Sequence, residues 1–131
     1  TMTIEANFAE FGETVRLDVP SYVYLGAFDK DILWNESEKY YINNTGNVDA
    51  IVSIELTTSD PIFNNLYIRQ YKSSANVTLN IPVQVQNYSI RIDANSKSQF
   101  YLSLNLTDYD GALSSNNISL NASLKFVGMA A

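Results

Sequence analysis

Seven asparagines stand two residues before a serine or threonine with no proline between them: Asn35, Asn43, Asn76, Asn87, Asn105, Asn117 and Asn121. This is the acceptor pattern for an N-linked sugar, in which the asparagine amide nitrogen takes the glycosidic bond. With 15 Asn and 22 Ser plus Thr in 131 residues, composition alone would give about two or three such triplets. The excess points to export and to sugars carried on accessible chain. No other chemistry is as well supplied. His and Cys are both absent, which removes the usual general base, the thiol nucleophile and the favoured zinc ligands. The carboxylate pairs Asp29/Asp31 and Glu36/Glu38 could in principle act as the acid and base of a glycosidase, but they fall beside expected loops and read better as solvated turn charges. Asp108, Asp110 and Gly111 begin a calcium loop without its later bidentate Glu, and read better as a tight turn. No Gly-rich phosphate loop is present. The sequence therefore leads us to expect no catalytic residue, no metal and no cofactor. Trp34 and the nine tyrosines could stack on sugars, but aromatic residues also fill cores, and Trp34 is expected in the core or at its edge.

The polar groups are mostly uncharged, with 37 Asn, Ser and Thr against 22 charged side chains and a net charge of −6. Such groups keep their hydration in acid, where carboxylates neutralise, so an exposed and acidic setting fits this composition. Eight scattered basic residues form no stripe that could neutralise a phosphate backbone, so nucleic acid is not an expected partner. No run approaches the roughly 20 apolar residues of a membrane-spanning helix. The start at Thr1-Met2 suggests a removed signal peptide. The absence of cysteine leaves the redox compartment open.

These acceptors must be displayed by some scaffold, and period-two alternation runs through the chain. Val48, Ala50, Val52, Ile54 and Leu56 share one face, as do Phe100, Leu102, Leu104 and Leu106, and Ile118, Leu120, Ala122, Leu124 and Phe126. Ala75 to Ile81 and Tyr88 to Ile92 alternate in the same way. Shorter strands are expected at Thr14 to Val19, Tyr22 to Phe28, Lys39 to Asn43 and Leu66 to Tyr71. Asn43 to Asn47 should supply left-handed turn conformations, and Ala94 to Lys97 a hairpin. No window has helical periodicity. The fold expected is all-β: an antiparallel β-sandwich of immunoglobulin-like or pilin-like type, spanning residues 12–131. Asn76, Asn87, Asn105, Asn117 and Asn121 fall on the polar parity of their strands, which would point their sugars to solvent.

Residues 1–11 stand apart as a strand and linker. Met2, Ile4, Ala6 and Phe8 alternate with Thr1, Thr3, Glu5 and Asn7, and Phe11-Gly12 breaks the pattern. Such a strand can complete its own sheet, or be donated to the sheet of a neighbouring copy. Donation repeated head to tail without closure gives a filament. Burial of Met2, Ile4 and Phe8 at about 1.5–3 kcal/mol each, with six to eight ladder hydrogen bonds at about 0.5–1.5, nearly cancels the roughly 8–16 kcal/mol of ordering eight residues.

A glycosylated β-sandwich preceded by the alternating strand Thr1-Met2-Thr3-Ile4-Glu5-Ala6-Asn7-Phe8 resembles the subunits of archaeal threads, pilin-like surface filaments. The resemblance implies head-to-tail polymerisation by donor-strand complementation, with Met2, Ile4, Ala6 and Phe8 as the donated face. It also implies identical subunits and covalent N-glycans as partners, and a cell-surface location. Asn43-Asn44-Thr45-Gly46-Asn47-Val48-Asp49-Ala50 is also similar to a turn-and-strand segment of other archaeal surface β-domains. A type IV assembly, which uses a long apolar N-terminal helix, does not fit this N-terminus. The alternatives from other classes are a monomeric carbohydrate-binding or adhesin module and a surface-layer domain.

Overall fold

The computed structural model describes residues 2–11, 15–58, 60–72, 81–111 and 118–131, with the side chains of residues 2 and 6–11 left out of the description. Among the described residues eleven strands follow in chain order: β1 Met2–Phe11, β2 Leu17–Asp18, β3 Tyr22–Phe28, β4 Trp34–Glu36, β5 Tyr40–Asn44, β6 Ala50–Thr57, β7 Leu66–Arg69, β8 Val83–Gln84, β9 Ser89–Ile92, β10 Ser96–Asn105 and β11 Ile118–Ala130. Single 3-10 turns at Pro61–Asn65 and Val85–Asn87 are the helical pieces among the described residues. The first begins where the Asp60 carboxylate accepts from the Ile62 N–H at 3.0 Å, with Pro61 supplying a fixed φ.

The protein is an all-β sandwich. One sheet has the order β3-β1-β11-β6-β9; the other runs β2-β5-β10-β7-β8, with β4 also paired to β10. Alternation decides which side chains meet between the sheets. Phe100, Leu102, Leu104 and Leu106 are buried from the second sheet, and Val52, Ile54, Ala122, Leu124 and Phe126 from the first. Phe100 and Phe126 join the layers, their ring centroids 5.8 Å apart at a 46° tilt, within the range favoured by aromatic pairs.

Several local expectations are corrected. Among the described residues pairing is antiparallel except between β1 and β11, which run parallel. Val48 and Ile118 belong to the apolar parities but are exposed at strand ends, Val48 lying before β6 begins. Ile81 is 59% exposed and outside any strand; the rest of the expected strand from residue 75 lies outside the described residues. Left-handed backbone does not occur at residues 43–47. Among the described residues it is found at Asn95 (φ 54°), in the β9–β10 hairpin, and at Gly26 (φ 99°).

Asn44 explains why its turn is built differently. Its buried amide donates to the carbonyls of Val48 at 2.8 Å, Ile92 at 3.1 Å and Asp93 at 3.3 Å, and its Oδ1 accepts from the Gly46 N–H at 3.0 Å. One side chain thus ties β5 of the second sheet to β9 of the first and satisfies the buried Ile92 carbonyl.

Candidate functional site

The first strand, β1, lies in the interior of its sheet. It pairs antiparallel with β3 on one side and parallel with β11 on the other, over the register Met2↔Ile118 to Phe11↔Val127. Ile4 sits opposite Leu120 and Gly26 and is fully buried. Thr3 and Glu5, on the other parity, are half-buried. The Tyr22 hydroxyl donates to the Glu5 carboxylate at 2.7 Å, which raises the tyrosine's pKa. The side chains of Met2, Ala6 and Phe8 lie outside the described residues.

The neighbouring strand β3 is shaped around Gly26. The β1–β3 register shifts between Ile4 and Glu5, where Gly26 adopts its positive φ, as in bulges that need glycine. A Cβ on Gly26 would meet Asn35 Nδ2 at 2.9 Å. That same amide donates to the Ala27 carbonyl at 3.1 Å. Asn35, the first acceptor asparagine, is therefore half-buried and serves to hold β3. Its partner Ser37 is buried, with its hydroxyl accepting from the Leu102 N–H at 3.0 Å and donating to the Glu38 carbonyl.

The other acceptors differ. Asn87, Asn105 and Asn121 are exposed, and so are Ser89, Thr107 and Ser123, the hydroxyl residues that complete their triplets. Asn105 ends β10 and Asn121 lies on β11, whereas Asn87 stands in a 3-10 turn rather than on the strand expected for it. Asn43 is half-buried on β5. Asn76 and Asn117 lie outside the described residues.

Two of the four paired carboxylates, Asp29 and Glu36, have structural partners. Asp29 is a turn residue whose Oδ1 accepts from the Asp31 and Ile32 N–H groups at 2.8 and 2.9 Å. Glu36 corrects the expectation of a solvated turn charge. It belongs to β4, its side chain is 4% exposed, and it forms a bidentate pair with Arg69 at 2.6 and 2.7 Å. That carboxylate holds the Arg69 pKa above its usual value. An open cleft of about 600 Å³ lies beside this segment, lined by Tyr24, Asn35, Glu38 and Tyr40 among others. Among the described residues no three carboxylates cluster closely enough to hold a metal ion.

Two features escaped the sequence. Asn44 looked like one turn asparagine among several. Trp34 is 49% exposed on the outer surface rather than in the core, in a cleft with Tyr67, Pro82, Ser103 and Asn105. An aromatic side chain fits either face of a strand, so type alone gives no signal. No known family model matches the chain, and no curated protein matches it in sequence.

Proposed function

We propose that this protein is a structural, non-enzymatic subunit of an extracellular filament, polymerised when β1 of one copy takes the β1 position in the next, and carrying N-linked sugars on its exposed asparagines. The observation that carries this reading is the place of β1: this first strand lies between two others, with Ile4 fully buried in the shared core. Removing an edge strand leaves a sheet intact. Removing this one separates β3 from β11 and exposes two unpaired edges with an apolar slot between them, and such edges recruit a strand from another chain. Exposed Asn87, Asn105 and Asn121 would carry sugars outward from the fibre.

The test uses the native absence of cysteine. Thr3 and Ser119 are paired on the outer face of β1 and β11, and neighbouring strands about 4.8 Å apart can meet the Cα spacing of a disulfide. A Thr3→Cys, Ser119→Cys chain, oxidised after assembly, should give a covalent ladder on a denaturing gel, and a chain lacking residues 1–8 should form no fibres. Fibres that yield only internally closed monomers, or normal fibres from the shortened chain, would refute strand donation.

A further inference from the structure

We propose that Trp34, Tyr67 and Pro82 form a cradle for the first sugar of a glycan attached to Asn105, an inference that rests on the glycoprotein reading above. Sheet pairing puts these residues together. β10 runs between β4 and β7, with Asn105 opposite Trp34 on one side and Ser103 opposite Tyr67 on the other. Directly paired side chains share a face and stand about 4.5–5.5 Å apart at Cβ. Asn105 thus rises beside the indole, with the phenol ring two residues along the same face. Pro82, just before β8, whose Gln84 pairs with Tyr67, closes the end. The resulting cleft of about 250 Å³ is lined by Trp34, Tyr67, Pro82, Ser103 and Asn105, smaller than the roughly 300–1,000 Å³ of a site for a drug-sized ligand and open on one side, as a single covalently tethered ring requires.

Asn105 is prepared for this role. Its Oδ1 accepts from the Thr107 N–H at 3.0 Å, which orients the amide and leaves Nδ2 as the end available to the sugar. The exposed indole supplies the other half. A largely apolar ring left 49% exposed is an amphipathic platform on which the C–H face of a pyranose packs while the sugar hydroxyls stay in water. Asn35 offers no such arrangement, since its amide is bound to Ala27 and its serine is buried. Glycosylation at Asn105 would therefore order a sugar against the protein and cover an apolar patch that would otherwise face solvent.

Trp34 is the sole tryptophan of the chain, so its fluorescence reports on this cleft alone. The full chain is made in a host that glycosylates it, site occupancy is read by glycopeptide mass spectrometry, and quenching by acrylamide is compared with that of Asn105→Gln and Thr107→Ala chains. Either variant removes the acceptor triplet by a different residue. Since about half of the Trp34 surface is exposed and a stacked sugar covers one face of its ring, occupancy at Asn105 should lower the quenching constant about two-fold and shift the emission to the blue. Both variants should lose this protection, and Asn121→Gln should retain it. An occupied Asn105 with equally accessible Trp34 overturns the proposal. An empty Asn105 with other acceptors occupied overturns the cradle but leaves the glycoprotein reading standing, whereas no occupied acceptor removes both. Protection that persists in Asn105→Gln chains, and only in assembled fibres, also overturns it by assigning the patch to a neighbouring subunit.

Discussion

If β1 is an exchangeable part of the core, Ile4 should carry a large and measurable share of its docking. The side chain is fully buried between the sheets, where truncation of Ile to Ala costs about 2–5 kcal/mol. At about 1.4 kcal/mol per factor of ten, that predicts a loss of roughly 30-fold to several thousand-fold in affinity. The assay supplies a peptide of residues 1–11 to a chain of residues 12–131, and compares it with the same peptide carrying Ile4→Ala by fluorescence anisotropy. Should the shortened chain unfold when alone, refolding it against a peptide titration gives the same ratio from the recovery of folded protein. Thr3→Ala is the control, because its half-buried side chain lies on the opposite parity. A substitution away from the core changes stability by about 0.5 kcal/mol or less, or roughly two-fold. Ile4→Ala and native peptides that bind within such a factor of each other would refute the assignment of Ile4 to an apolar slot, and no binding or rescue by the native peptide would refute the slot itself.

Asn44→Ala should lower the free energy of unfolding by about 1–3 kcal/mol, because it leaves the buried Ile92 carbonyl of β9 and the Gly46 amide without their partner; a denaturant titration with an unchanged slope would measure this, and an unchanged midpoint would contradict it. Tyr88 has a buried hydroxyl without a hydrogen-bond partner, and burial pushes its pKa up to about 12. Its contribution is fully present below the ordinary pKa of 10.0 and is lost as pH rises toward about 12. Tyr88→Phe should keep or raise stability at neutral pH and remove this part of the alkaline loss; marked destabilisation at neutral pH would contradict it. Asp49 has the opposite sign, since the Ala94 N–H at 2.8 Å and then Arg91 at 2.7 Å hold its pKa below 3.8. Its contribution is present above that value and is lost as pH falls through the lower folded value, so unfolding curves of Asp49→Asn should show less decline below about pH 4 than those of the native chain.

What was legible in the sequence follows from what period two records. Alternation tells which side chains of a strand are buried, and it correctly placed β3 at Tyr22–Phe28 and the inward row Phe100, Leu102, Leu104 and Leu106. It carries no information on the neighbour across the ladder, so the parallel pairing of β1 with β11 could not be read from it. Polar residues were legible only by type. Glu36 looked like a surface charge because its partner Arg69 is 33 residues away, and the structural use of Asn35 depends on a bulge at Gly26. The acceptor triplets were explicit in the sequence, but the difference between a buried Ser37 and an exposed Thr107 arises from strand pairing and burial.

The interior position of β1 also constrains what can drive assembly under the proposed function. A strand taken from a neighbour in the same register would make the contacts that β1 makes within its own chain, so the exchange by itself has a free-energy change near zero. Tethering favours the internal arrangement, because a strand covalently joined to its own sandwich acts at an effective concentration of the order of millimolar. Polymerisation must therefore gain from something beyond the slot. Either the donated strand meets the open groove before the chain's own strand has closed it, or subunits make additional contacts once they are joined. The two routes separate experimentally. In the first, purified monomers with β1 already inserted stay monomeric until partly unfolded. In the second, they polymerise above a critical concentration without unfolding, and substitutions on outer faces remote from β1 abolish fibres while leaving peptide binding to the groove intact.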